Sequence, residues 1–214
     1  MASLKEIVRV NIFKSLYINI KNFGIKGILK MPIIIQFGAK FICPKGGVII
    51  TSPLAFNMLT IKRGNVITIY RSGKLIINGI HAVFNKANVV NVFPGAVFEI
   101  GDNFIANGYA EFNCKKGIKI GDGFLSSVHV IIMDTDFHPI FRNGEIINPE
   151  KVVTIGNNVW VGCNVTILKG VTIGNDIVIG AGSVLSGKYT QSNSVYAGNP
   201  SRLIKSDISW RGAK

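Results

Sequence analysis

The sequence predicts an all-β protein, a parallel β-helix with a short helical amino-terminal segment, from three observations. Through residues 155–185 an aliphatic side chain returns at every sixth position: Ile155, Val161, Ile167, Ile173, Ile179 and Leu185. A helical face would repeat at about 3.6 residues and a half-buried strand at about 2. Glycine follows one step later at Gly156, Gly162, Gly174 and Gly180, which reads as short strands joined by tight corners. Four steps after each aliphatic stands a second, small or β-branched residue (Val159, Val165, Val171, Ile177, Ser183), suited to a strand end turning into a corner packed against the coil axis. Each six-residue unit is then one side of a coil.

The chain of 214 residues, 48% hydrophobic with 24 glycines, suffices for one main domain with a sizeable core. Its three cysteines, Cys43, Cys114 and Cys163, have no paired or metal-like spacing, which argues against a disulfide framework and places the chain in a reducing compartment, by default the cytoplasm. A net charge of +13 would attract nucleic acid, an anionic membrane or polyphosphorylated ligands. The basic residues are dispersed through apolar sequence instead of sitting on aromatic platforms, and no nucleic-acid motif is present, so nucleic acid is the weaker partner.

Residues 1–45 form a basic amphipathic segment, with eight basic residues against one acid (Glu6), so +7 of the +13 lies there. Apolar residues from Ile7 to Phe23 at mixed three- and four-residue spacings predict one or two helices ending near Gly24 or Gly27. Lysine and asparagine interrupt every apolar run well short of the ~18 residues of a spanning helix. The segment reads as a seal over the open end of the β-helix or as a membrane-surface or partner-binding cap, with the seal favoured because every repeat stack needs one. Residues 46–205 are the β-helix and residues 206–214 a tail. Strand-like pieces between Val48 and Phe98 lack a clean six-residue register and read as irregular early coils.

Register starts at Ile100, Ala106, Phe112 and Ile118. It slips two residues after Lys115-Lys116-Gly117 and resumes at Ile120, Ser126, Ile132 and His138, which places His138 in the ladder one coil beyond Ile120. Residues 139–154 interrupt the ladder as a protruding loop with Asn143-Gly144 as a tight turn. A loop beside the one histidine in register is where a site is expected. His81, His129 and His138, separated by 48 and 9 residues, do not come to one face, so no metal site is expected.

The units Ile-Gly-Asn-Asn-Val-Trp, Val-Gly-Cys-Asn-Val-Thr, Ile-Leu-Lys-Gly-Val-Thr, Ile-Gly-Asn-Asp-Ile-Val and Ile-Gly-Ala-Gly-Ser-Val, closed by Ala197-Gly198-Asn199-Pro200-Ser201-Arg202, resemble the hexapeptide-repeat acyltransferases, in the branch that O-acetylates sugars. The resemblance covers roughly residues 100–205 and implies a left-handed helix of three-sided coils, a homotrimer, and acetyl-CoA bound between subunits. It implies that His138, in Asp134-Thr135-Asp136-Phe137-His138-Pro139, is the general base, a role for which imidazole suits operation near neutral pH. Asp136, like Asp134, would orient the imidazole or contact the sugar, or would satisfy the local turn. Asn113 would steady the acceptor or oxyanion, with Asn107 as the alternative. For CoA the resemblance carries over onto Cys163, Ala181, Ser186, Lys188, Arg202 and Lys205, with Asn199 in the closing motif. Arg202 and Lys205 would meet the phosphates. Trp160, at the outward end of its unit, would wall the thioester or pack against a neighbouring subunit. The acceptor would be a capsule, lipopolysaccharide or other surface-glycan sugar. An N-acetyltransferase of amino sugars and a non-catalytic scaffold are the alternatives; no Gly-rich phosphate loop follows a strand in residues 1–99, and a scaffold has no need of the His138 loop.

Overall fold

The computed structural model describes residues 11–25, 33–35, 38–43, 48–50 and 65–212. Among the described residues three parallel sheets each take every third strand of the coils, so the chain winds as a three-sided prism. The first sheet contains Ile33–Ile35, Val66–Ile69, Val89–Val92, Glu111–Cys114, Ile131–Met133, Thr166–Ile167 and Val184–Leu185. The second contains Lys40–Ile42, Lys74–Ile77, Val97–Ile100, Gly117–Ile120, Val153–Ile155, Thr172–Ile173 and Lys188–Tyr189. The third contains Val48–Ile50, Ala82–Phe84, Phe104–Ala106, Leu125–Ser126, Trp160–Val161, Ile177–Ile179, Ser194–Gly198 and the antiparallel Ser201–Lys205.

Six-residue periodicity becomes a stack of like residues. Ile100 pairs with Ile120, Ile120 with Ile155, and Ile155 with Ile173, all in one inward row. The six aliphatics from Ile155 to Leu185 and their partners Val159, Val165, Val171, Ile177 and Ser183 are all buried. The earlier coils are irregular, as their sequence suggests, and phenylalanine fills them. Phe84, Phe98, Phe104, Phe112 and Phe124 are fully buried, with neighbouring ring centroids 5.2 to 5.9 Å apart.

The glycine after each aliphatic has a different cause from tight turning. Gly121 and Gly156 have ordinary negative-side backbone, but a Cβ on Gly121 would stand 2.9 Å from the carbonyl carbon of Gly156, and one on Gly156 2.8 Å from that of Gly174. The next coil's backbone fills the space a side chain would need. The left-handed turn position falls two residues later, on Asn158, Asn164 and Asp176, whose short polar side chains tolerate it.

His138 is not a ladder residue. The chain leaves the coil at Asp134 and re-enters at Val153, so Ile155 occupies the place one coil beyond Ile120. An unbroken six-residue count places His138 in the ladder, but the excursion begins before it, and periodicity alone does not mark where a chain departs. Within the loop, Phe141–Arg142 and Glu145–Ile146 form a hairpin whose Asn143-Gly144 turn has both residues at positive φ, as a two-residue hairpin requires.

The helix Ile12–Phe23 ends at Gly24 and seals the first sheet with its polar side. Asn19, fully buried, accepts from the Ile33 N–H (3.1 Å) and donates to the Ile33 carbonyl (2.8 Å), while Ser15 Oγ accepts from the Ile35 N–H (3.0 Å). The edge strand presents unpaired backbone groups, so polar side chains stand in for a missing neighbour strand. Phe13 and Tyr17 consequently face out, 86% and 65% exposed, with Ile20 beside them. Ile12, Phe13, Tyr17 and Ile20 thus mark an outward apolar row, while Ile18 joins Ser15 and Asn19 on the buried side. The part of the expected segment in residues 1–10 lies outside the described residues. Among the described residues no helix is long and apolar enough to cross a membrane.

Asn19→Ala should therefore lower stability by about 1–3 kcal/mol, because two buried backbone groups of Ile33 lose their partner. Thermal unfolding should show the loss, whereas Phe13→Ser, on the exposed face, should leave the midpoint nearly unchanged.

Candidate active site

The edge between the first and second sheets carries the loop. A cleft of about 210 Å³ opens there, lined by Lys115, Phe137, His138, Ile146 and Asn148 among others. Next to the lining residue Thr135 stands Asp134, fully buried, whose carboxylate accepts from the backbone N–H of Lys115 (2.7 Å), Lys116 (2.8 Å) and Gly117 (2.5 Å). Burial pushes the Asp134 carboxyl up, against the downward pull of these donors, and burial together with that carboxylate pushes the Cys114 thiol up. Asp134 thus fixes the corner from which the loop springs and is out of reach of any ligand.

Asp136 does not reach the imidazole. Its carboxylate is held by the Lys169 ammonium and by Asn148 Nδ2 (2.9 Å). Lys169 also donates to the Asn148 carbonyl (2.7 Å), and Asn148 Nδ2 donates to the His138 carbonyl (3.0 Å). The Ile140 N–H donates to Asn148 Oδ1, so Asn148 fastens both sides of His138. The His138 N–H donates to the Asp136 carbonyl (2.7 Å). The backbone of His138 is therefore pinned while its exposed imidazole has no hydrogen-bond partner among the described residues. Lys169 and Asn148 escape a reading of the sequence because they meet Asp136 only across the loop, 33 and 12 residues away.

Asn113 lies on the outer side of the first sheet, 3% exposed, its amide taken by Asn91 (3.0 Å) and Glu111 (2.8 Å). Asn107 lies on a different edge, between the third and first sheets, where its side-chain oxygen accepts from Asn85.

That third–first edge gathers much of the expected CoA set. Cys163 and Ala181 stack on adjacent coils there, with the Gly182 N–H donating to the Cys163 carbonyl (2.9 Å). Ser183 Oγ donates to the Gly180 carbonyl (2.6 Å) and accepts from the Gly198 N–H (3.0 Å), tying this edge to the exposed Asn199 turn. In a regular strand Arg202 and Lys205, three apart, would point to opposite faces. A bulge puts Arg202 opposite Ala197 and Lys205 opposite Val195, so both share the outward face. Trp160 lies on the same sheet, 38% exposed, its Nε1 donating to Ser127 Oγ (3.3 Å) and its ring 6.0 Å from Trp210. Trp210 donates to the Asn158 carbonyl (2.9 Å), so the tail packs on the coils. Ser186 and Lys188 stand apart from this group, at the first–second edge with the loop. The expected residues thus divide between two edges of the prism, with His138 on one and Cys163, Ala181 and the Arg202–Lys205 pair by the other.

The sheets, coils and inward rows define a left-handed parallel β-helix, the fold shared with two solved structures. One, a polySia-specific acetyltransferase, has a TM-score of 0.62 at 25% identity, covering 85% of this chain and 90% of that one. The other, a polysialic acid O-acetyltransferase, has a TM-score of 0.61 at 27% identity, covering 84% and 91%. Residues 153–187 match the family described as bacterial transferase hexapeptide (six repeats). The chain is 44% identical over 108 residues to a polysialic acid O-acetyltransferase of Neisseria meningitidis, covering 50% of each. It is 40% identical over 114 residues to galactoside O-acetyltransferase of Escherichia coli K12, covering 52% of this chain and 55% of that one. The chain spans about half the length of the curated relatives it matches.

The Lys169 ammonium, then Asn148, hold the Asp136 carboxyl below its usual range. A depressed carboxyl contributes stability above its unfolded value of about 3.9 and loses it as pH falls through the folded value, so the tether is intact from pH ~5 upward. Lys169→Met or Asn148→Ala should speed amide hydrogen exchange at His138 and Ile140 at neutral pH while leaving the Ile155 and Ile173 ladder amides protected.

Proposed function

We propose that this chain is an acetyl-CoA-dependent O-acetyltransferase that modifies a hydroxyl of a surface-glycan sugar, with His138 as general base. The observation that carries this reading is His138 itself, backbone pinned and ring free at the rim of a cleft. The similarity to chains named as sugar O-acetyltransferases supports it. His138 takes the hydroxyl proton at a ring nitrogen as the sugar oxygen attacks the acetyl carbon, and gives it to the CoA thiolate expelled when the carbon–sulfur bond breaks. Arg202 and Lys205, sharing one outward face, supply paired cations for the nucleotide phosphates, and the backbone along Cys163 and Ala181 lines the pantetheine arm. Asp136 acts here through Lys169 and Asn148, as part of the tether. Asn113 or Asn107 supports the acceptor or oxyanion, and Trp160, Ser186, Lys188 and Asn199 complete the CoA surface.

The two edges make one site only when two copies meet, with the loop of one chain reaching the third–first edge of the next. Three copies around an axis close that heterologous contact into a ring. The outward row of Phe13, Tyr17 and Ile20, in a segment of strong positive charge, suits an anionic membrane surface, so the enzyme works at the cytoplasmic face of the membrane.

His138→Ala should preserve the trimer and acetyl-CoA affinity yet lower kcat by about 10²–10⁴-fold. Mixed trimers assembled from His138→Ala and Arg202→Ala/Lys205→Ala subunits should regain activity that neither parent shows, because some interfaces join two intact edges; unchanged activity on mixing would place the site within one chain. Separately, the protein should sediment with phosphatidylserine vesicles, and Phe13→Ser/Tyr17→Ser should not.

A further inference from the structure

Phe137 stands immediately before His138 in a conformation that a bulky residue rarely adopts, with φ +63°. Its N–H is held by Thr135 Oγ1 (2.9 Å), and Thr135 is itself buried. The fold spends this cost to place an aromatic ring that remains 40% exposed in the cleft beside the imidazole. The ring folds back toward the amino-terminal coils, meeting Phe93 at 76° with centroids 5.8 Å apart. Phe93 in turn stacks on Tyr70, one coil further, at 5.0 Å and 4°. In a T-shaped contact at least one face of Phe137 stays free of Phe93. The column is thus a prop, and Phe137 is its presented end.

Direction along the axis separates the two substrates. Cys163, Ala181, Ser186, Lys188, Arg202 and Lys205 all belong to coils carboxy-terminal to the one that launches the loop, whereas Phe137 leans on coils amino-terminal to it. An acceptor must approach His138 from the side the CoA arm does not occupy. The charged side chains that line the cleft are also paired: Lys115 with Glu150 (3.1 Å) and Asp136 with Lys169. What remains open is apolar, Phe137 with Pro139, Ile146 and Pro149.

We infer that Phe137 is the stacking platform of the acceptor site and that the sugar ring carrying the reactive hydroxyl is an uncharged pyranose, held by its apolar face. This rests on the acetyl-transfer reading above. A flat ring beneath the sugar fixes its height and tilt relative to the imidazole, which decides which hydroxyl comes within reach. Phe137 contacts the acceptor and sets specificity; it moves no proton.

The test is steady-state kinetics of the full chain with acetyl-CoA and a panel of neutral, amino and acidic sugars that includes methyl β-galactopyranoside, maltose and N-acetylneuraminic acid oligomers. Phe137→Leu keeps an apolar side chain against Phe93 but removes the flat face, and Phe137→Trp restores one. The expected result is that Phe137→Leu raises acceptor KM about 10-fold or more, that Phe137→Trp stays within about 3-fold of the wild type, and that acetyl-CoA KM moves in neither. The wild type should favour the uncharged acceptors. Wild-type acceptor KM in Phe137→Leu, or equal damage in both variants with faster exchange at the loop amides, would reduce Phe137 to a loop anchor and overturn the inference. So would preference for the acidic oligomers. If the wild type acetylates no sugar in the panel, the acetyl-transfer reading falls and the platform with it, a failure distinguishable because it needs no variant.

Discussion

Everything in this protein is arranged around the close vertical contact of one coil with the next. Parallel strands lie about 4.8 Å apart, so each residue has its equivalent in the neighbouring coil directly above and below it. Inside the prism this stacks isoleucine on isoleucine, from Ile100 through Ile120 and Ile155 to Ile173. At the corner beside that row it leaves no space for a side chain, which is why glycine accompanies the aliphatics at Gly101, Gly121 and Gly156. A coil can lengthen only by letting chain out at a corner, and the histidine loop leaves at one.

Such a stack has two raw ends, and the chain finishes each differently. At the first strand, Ser15 and Asn19 supply from side chains the hydrogen bonds that a further strand would have made. At the last coil the chain reverses and lays Ser201–Lys205 antiparallel on Ser194–Gly198. Both solutions leave something facing outward: an apolar row on the helix, and two cations aligned by a bulge.

The proposed chemistry sits where the repeat is broken. The loop carries the exposed imidazole and is held by a lysine, a carboxylate and an amide drawn from separate stretches of chain. The rigid coils supply the fixed frame, and the departures supply the groups proposed to meet ligands, a division that lets a regular scaffold carry a site without disturbing its core. Because the loop and the Arg202–Lys205 face lie by different edges, assembly of copies becomes part of the proposed mechanism and not an accessory to it.

The periodicity of six determined the coil architecture, the buried rows and their register from Ile100 onward, because each inward position has the same environment and so the same residue type. The Asn143-Gly144 turn was equally legible, and the helix end was narrowed to Gly24 or Gly27, since both depend on local backbone geometry. His138 was singled out from its neighbours in sequence, but its ladder position was not, because counting cannot show where a chain leaves the coil. The partners of Asp136, the inward polar face of the first helix, the shared face of Arg202 and Lys205 and the Phe137–Phe93–Tyr70 column were decided only by the tertiary structure. Each joins residues far apart in the chain or depends on a bulge or an unpaired strand edge, and no local pattern encodes such a contact.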